Sequence, residues 1–324
     1  MRSQILGTGS YAPSRILTNA DLERMVATSD AWITERTGIR ERRVVTPEEA
    51  CSDLGVQAAR QALAEAKIQA SELDLILVAT CTGDFPLPST ACVIQHRLGA
   101  TQAAACDISA ACCGFVYALA VADAYIKTGS RYVLVVGAEV MSAITDWEDR
   151  NTCVLFGDGA GAVVLGPSDG EAGILSLHLH ADGRLADLIC VPGGGSSMPI
   201  SEKILAERLH YIKMRGNETF KVAVKTMEEA AREALAANGL TVEEIDVFIP
   251  HQANIRILKA VSQRLGLSFD RVAVNLDRFG NTSAASIPMM LDEVVRENRV
   301  KADSLILVAA FGAGLTWASG VIRW

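Results

Sequence analysis

The chain has 324 residues, half of them hydrophobic, with 30 basic against 38 acidic side chains and a formal net charge of -8. That is enough chain for a large core, in one α/β domain or two layered units, and the acidic balance argues against a nucleic-acid surface, which needs a basic stripe. No apolar run reaches the length of a membrane span, and MRSQILGTGSYAP at the start lacks the apolar run of a signal peptide.

In chain order, CSDLGVQAARQALAEA (51–66) is expected as a helix and LDLILVAT (73–80) as a strand. Helices follow at ACVIQHRLG (91–99) and CGFVYALAVADAYIKTG (113–129), then a strand at RYVLVVGA (131–138). TCVLFG (152–157) and AGAVVLG (160–166) are expected as strands, with GDGAGA (157–162) as a tight hairpin between them. GDGAGA fits a dinucleotide-binding fingerprint only superficially, because a strand follows it where that motif demands a helix. The second half offers helices at 220–239, 255–266 and 283–298, and strands IDVFIP (245–250) and SLILVAAF (304–311). Short apolar runs alternating with longer amphipathic stretches define an α/β chain.

An internal repeat organises these elements. QALAEAKIQASELDLILVAT (61–80) aligns without gaps on EALAANGLTVEEIDVFIPHQ (233–252), a displacement of 172 residues. At the same displacement VLVV (133–136) falls on LILV (305–308), and the helix start after Cys112 falls near Ser283. Two similar halves are expected, 1–170 and 171–324, with 183–217 as an insertion without counterpart and GGGSS (193–197) as a mobile loop. Loops at the carboxyl ends of the strands in both halves then become the places to look for chemistry.

The eight cysteines are scattered, as reduced thiols in a cytosolic protein would be. Cys112 follows an apolar turn and opens a helix, where unpaired N–H groups and the helix dipole favour a thiolate; inert packing is the competing reading. Adjacent cysteines on a helix point about 100° apart, so Cys112 and Cys113 do not face one substrate or chelate one ion. Neither CxxC nor HExxH occurs, and no metal site is expected. His251, in IPHQANIRI, ends an apolar strand; Asn281, in RFGNTSAAS, lies in a glycine-bearing turn that opens a helix. A cysteine, a histidine and an asparagine at three loop–helix junctions make a thiolate enzyme plausible, although an ordinary structural histidine and a turn asparagine are the plain alternatives. FGAG (311–314) is either a tight turn or a place where backbone N–H groups meet an oxyanion.

TSDAWITERTGIRERR (28–43), DISAACCGFVYAL (107–119), RNTCVLFGDGAGAVVL (150–165), GNETFKVAV (216–224), PHQANIRI (250–257), DRFGNTSAAS (277–286) and AAFGAGLTWAS (309–319) run along most of the chain. Together they resemble β-ketoacyl-acyl-carrier-protein synthase III, a thiolase-superfamily enzyme that starts type II fatty acid synthesis. The resemblance implies the five-layered αβαβα thiolase fold, a cytoplasmic homodimer, and no cofactor beyond its acyl-CoA substrate. It implies that Cys112 takes an acyl group from acyl-CoA, after which malonyl-acyl-carrier protein loses CO₂ and its carbanion attacks the acyl-cysteine. His251 and Asn281 would stabilise the enolate, and the backbone N–H groups of Cys112 and Ala313 the second oxyanion; Ala313 stands where the family often has glycine. Trp32 would stack on the CoA adenine, Arg36 and Arg150 would hold its nucleotide and phosphates, and Asn254 would meet the pantetheine arm. Lys221 and Arg256 would dock the acidic carrier protein. Leu87 stands where some members carry a bulky aromatic that caps the acyl pocket across the dimer, which suggests room for a primer larger than acetyl. A condensing enzyme of secondary metabolism using another acyl- or aryl-CoA is the alternative. A scaffold partner would lack the nucleophile. A thiolase would carry a cysteine near its C-terminus, whereas the last one here is Cys190.

Overall fold

Residues 2–324 are described by the structure, a computed structural model. The first sheet is built from β1 (Arg2–Tyr11), β2 (Leu75–Ala79), β3 (Ala104–Ile108), β4 (Val133–Val140) and β5 (Asp158–Ser168), in the order β1-β5-β4-β2-β3. Strands β2, β3 and β4 run parallel, while β5 is antiparallel to both β4 and β1. The second sheet comprises β6 (Gly173–Ala181), β7 (Val247–Pro250), β8 (Leu305–Gly312) and β9 (Thr316–Arg323), in the order β7-β8-β9-β6. Here β7 and β8 are parallel and the other neighbours antiparallel. Outside β7, Val272 bridges Phe248 and the Ala273 N–H donates to the Phe248 carbonyl at 2.8 Å, so the place of β3 is held by a single bridge.

Helices α1 (Cys51–Ala66) and α2 (Thr90–Leu98) cover the outer face of the first sheet. Helices α4 (Gly216–Ala237) and α5 (Ile255–Leu265) cover the outer face of the second. Between the sheets lie α3 (Gly114–Lys127) and α6 (Ser286–Arg296), whose Phe115, Leu119, Ile287 and Leu291 share one core with residues of both sheets. The sequence of α3, GFVYALAVADAYIK, is apolar on nearly every side, as a helix buried between two layers must be. The result is the five-layered αβαβα arrangement.

The repeat persists in three dimensions. The short helical turn Ala111–Cys113 before α3 and Ser283–Ala285 before α6 are 172 residues apart, as are the starts of β4 and β8. Both turns open on a non-glycine residue in the left-handed region, Ala111 at φ 47 and Ser283 at φ 49.

Three expectations fail. TCVLFG is not a strand: Arg150–Cys153 is a helical turn, and GDGAGA opens the unbroken strand β5 rather than a hairpin. Residues 183–217 do have a counterpart. Cys190 pairs with Lys213 and Ile189 with Met214, and at the same displacement Thr18 pairs with Glu41 and Leu17 with Arg42. The GGGSS loop forms a turn in which the Gly194 N–H reaches the Met198 carbonyl at 2.8 Å.

Gly137 in β4 sets how closely the Ser283 turn approaches the first sheet, because a Cβ there would sit 2.4 Å from the Ala284 carbonyl oxygen. Gly137→Ala is therefore expected to cost about 2–3 kcal/mol in chemical denaturation. Gly170→Ala, whose added Cβ meets nothing within 4 Å, should stay within about 0.5 kcal/mol.

Candidate functional site

A cavity of about 940 Å³ opens between the halves, and Cys112, His251, Asn281 and Ala313 all line it. Each sits just beyond a strand end or at a helix start, so rigid elements of both sheets fix the loops that carry them.

Cys112 rides on the turn Ala111–Cys113 at the base of α3. The end of β8 presses against it: a Cβ on Gly312 would lie 2.7 Å from the Cys112 nitrogen, so only glycine lets the Ala313 backbone come alongside. Cys113 is fully buried and turned the other way, its thiol bonding the Thr316 carbonyl at 3.4 Å. The expected thiolate-favouring effect of the helix start is outweighed. Burial pushes the Cys112 thiol up to about 12, with the Glu139 carboxylate adding to it, while the Ser283 hydroxyl and the cysteine's own N–H pull the other way. The resting residue is a neutral thiol.

His251 follows β7 and is only 2% exposed. Its Nδ1 meets the Ser286 hydroxyl at 2.7 Å, and that hydroxyl also takes the Gln252 N–H at 3.4 Å. With the Ser286 hydroxyl donating to Nδ1, the ring proton sits on Nε2, the edge remaining for the cavity. Burial drives the imidazole pKa down to about 3, so the ring is neutral. Asn281 is held by its own backbone, its N–H on the Leu155 carbonyl at 2.8 Å and its carbonyl taking the Gly157 N–H at 3.1 Å. Its Oδ1 accepts the Ser283 N–H at 2.9 Å, so the amide nitrogen is the group left to donate. Two neutral donors therefore come from the second half, opposite a thiol from the first.

At the mouth, Trp32 has two guanidinium groups near its ring, Arg150 at 4.0 Å and Arg36 at 5.0 Å from the centroid. Trp32 and Arg36 line the cavity, as do Lys221 and Arg256, the latter 5.5 Å from the Phe220 ring centroid; Arg150 reaches it only through Trp32. Asn254 also lines it, but its side chain is already engaged. Its Oδ1 caps α5 through the Arg256 N–H at 2.8 Å and its Nδ2 donates to the Arg36 carbonyl at 3.1 Å. Leu87 is not brought to the cavity; it is 86% exposed on the loop after β2. Among the described residues no cluster of three or more metal-ligating side chains is present.

Sequence reasoning missed Ser283, Glu139 and Cys81. Ser283 and Cys81 line the cavity, and Glu139 lies fully buried beneath it. An acid at the end of the apolar run VLVVGAEV was the available signal for Glu139.

Comparison with known proteins agrees along the whole chain. Two family models match, 3-oxoacyl-[acyl-carrier-protein] synthase III over residues 106–183 and its C-terminal region over 235–324. A β-ketoacyl-[acyl-carrier-protein] synthase III of Caldanaerobacter subterraneus is 55% identical over 321 residues, 99% of this chain and 97% of that protein. The crystal structure of the 3-oxoacyl-[acyl-carrier-protein] synthase III of Aquifex aeolicus superposes with a TM-score of 0.92 at 48% identity, over 99% of this chain and 100% of that one. The priming β-ketosynthase of the R1128 polyketide pathway has the same TM-score of 0.92 at 38% identity, over 99% and 96% of the two chains.

The buried imidazole has a consequence for stability. Between about 6.5, the ordinary histidine value, and about 3, the unfolded chain binds the proton that folded His251 refuses. Stability therefore falls as pH drops through that window, by up to ~1.4 kcal/mol per unit. Denaturation of wild type and His251→Asn at pH 7 and pH 5 should show the wild type losing about 2 kcal/mol more than the variant.

Proposed function

The chain belongs to the β-ketoacyl-acyl-carrier-protein synthase III family, and we propose that its cavity runs the family's reaction with Cys112 as nucleophile. The enzyme is an acyltransferase that condenses an acyl-CoA primer with malonyl-acyl-carrier protein, giving a 3-oxoacyl-carrier protein and initiating fatty acid synthesis. The observation that carries the assignment of roles is the convergence of the Cys112 thiol and two neutral side-chain donors on a single cavity.

In the first half-reaction the Cys112 sulfur attacks the thioester carbonyl of acyl-CoA. The resulting oxyanion lies against the N–H groups of Cys112 and Ala313, and CoA leaves. In the second, malonyl-carrier protein loses CO₂, and the enolate oxygen is met by His251 Nε2–H and the Asn281 amide. Neutral donors suit this step, because a buried pocket holds them without the cost of desolvating a charge, and once oriented they still stabilise an anion that exists only transiently. The enolate carbon then attacks the acyl-cysteine and expels the Cys112 sulfur. One nucleophile and two oxyanion sites complete this chemistry without a cofactor, since acyl-CoA is a substrate.

Trp32 stacks on the CoA adenine, and Arg36 and Arg150 beside its ring hold the nucleotide and phosphates. Asn254 holds the wall of the pantetheine channel through Arg36 and α5 rather than by a free amide. Lys221 and Arg256 form the basic rim on which the acidic carrier protein docks. The halves divide the work, 1–170 supplying the nucleophile and 171–324 the donors, in a cytoplasmic homodimer. Leu87, standing free of its own cavity, reaches the partner's acyl pocket in that dimer and leaves room for a primer larger than acetyl.

Incubation with a panel of acyl-CoAs followed by peptide mapping should place the acyl group on Cys112; label on Cys113 alone would overturn the assignment. In kcat/KM, isobutyryl- or hexanoyl-CoA should equal or exceed acetyl-CoA, and Leu87→Phe should shift preference toward acetyl. A strong acetyl preference in the wild type would refute the role of Leu87.

A further inference from the structure

Beneath the cavity lies a carboxylate that the reaction above leaves unused. Glu139, near the end of β4, is fully buried, and the groups on its oxygens all donate to it. Its Oε2 takes the Thr80 hydroxyl at 3.3 Å, the Cys81 N–H at 3.0 Å and the Thr82 hydroxyl at 2.5 Å. The Thr80 oxygen already accepts the Thr82 N–H at 3.1 Å and the Thr82 oxygen the Val140 N–H at 2.7 Å, so both hydroxyl protons are left for the acid. Its Oε1 takes the Ser283 hydroxyl at 2.9 Å. A carboxylate of the first half thereby holds a turn of the second. Ser283 in turn gives its N–H to Asn281 Oδ1 at 2.9 Å, the bond that leaves the Asn281 amide nitrogen for the cavity.

The fold does not need this bridge to make the turn. At the displacement of 172 residues Ser283 corresponds to Ala111, Asn281 to Ser109, and Glu139 to Phe311 near the end of β8. Ala111 holds the same left-handed conformation with a side chain that cannot hydrogen-bond, and an aromatic ring fills the place of the acid. Burying a carboxylate is far more costly than burying a phenyl ring unless donors surround it. What sets the second-half turn apart is the amide it carries.

We propose that Glu139 and Ser283 are positioning residues that fix the Asn281 amide for decarboxylation, a clamp laid by the first half on a donor of the second. An asparagine amide can turn by about 180° on its last bond and exchange its oxygen for its nitrogen. Oδ1 on the Ser283 N–H selects the orientation that presents the nitrogen to the enolate oxygen. Glu139, through Ser283 Oγ, limits how far that N–H can move, and it does not line the cavity itself. The proposal rests on Asn281 being an enolate donor.

Because alanine is accepted at the equivalent turn, Ser283→Ala should fold, and it leaves Glu139 its donors from Thr80, Cys81 and Thr82. Wild type, Ser283→Ala, Asn281→Ala and the double variant are compared by acyl-enzyme formation, from intact mass, and by CO₂ release across a range of malonyl-carrier protein concentrations. Ser283→Ala should acylate within a few-fold of wild type and release CO₂ roughly 10–10²-fold more slowly, in kcat rather than KM, because the amide meets an oxygen whose charge develops only during reaction. In the Asn281→Ala background the same change should add less than about twofold, since its effect passes through the missing amide. Glu139→Ala, which removes the acceptor of the serine, should repeat the selective loss. Unchanged CO₂ release in Ser283→Ala or Glu139→Ala, equal loss of both half-reactions in Ser283→Ala, or full additivity with Asn281→Ala would overturn the clamp and leave Asn281 as a donor. Wild-type CO₂ release in Asn281→Ala would remove the donor and the clamp together.

Discussion

Two backbone turns meeting at the centre of the molecule set the terms for everything around them. Ala111 and Ser283 hold left-handed conformations at φ 47 and φ 49, each an unfavourable state for a residue with a Cβ, costing on the order of 1 kcal/mol or more. They persist because α3 and α6 are locked between two sheets whose side chains they share. The turns can reach the cavity only where the opposing strands lack side chains, at Gly312 against Cys112 and at Gly137 against Ala284. Strain, burial and close approach are thus one arrangement, and its product is a thiol facing donors from the other half.

The electrostatics follow from the same burial. Desolvation keeps the Cys112 thiol and the His251 imidazole neutral at rest, and it raises the Glu139 carboxyl. A pocket of oriented neutral donors held by buried backbone responds strongly to an anion that appears during reaction, because the donors need not reorganise. Positive charge is kept at the mouth, on Arg36, Lys221 and Arg256, where phosphates and an acidic partner would arrive. A chain with a net charge of -8 can therefore still bind anions at one place.

Much of the architecture was legible because the buried strands β2, β4, β7 and β8 are continuous apolar runs and α1 is strongly amphipathic. What escaped was written in less distinctive residues. Strands β1, β6 and β9 mix polar and glycine positions, and the start of β5 was taken for a hairpin because its glycines read as a turn; they are where α6 packs against it. TCVLFG is apolar because its helical turn is buried, and an apolar run that short does not separate helix from strand. The pairing of 189–190 with 213–214 repeats that of 17–18 with 41–42 through backbone hydrogen bonds, which leave no mark in side-chain identity. Cys112, His251 and Asn281 stood out by their positions at strand ends and helix starts, and the family resemblance selected among their possible roles. Ser283 and Glu139 stayed hidden because a serine in a turn and an acid ending a strand have ordinary structural explanations until a distance of 2.9 Å joins them.

The central claim is a division of labour, with acyl transfer resting on Cys112 and decarboxylation on His251 and Asn281. The direct measurement follows the two half-reactions separately in His251→Ala and Asn281→Ala: acyl-enzyme formation by intact mass, and CO₂ release from malonyl-carrier protein. Acylation within a few-fold of wild type, with CO₂ release reduced on the order of 10²–10³-fold, is the predicted result. Equal loss of both half-reactions in both variants would contradict it.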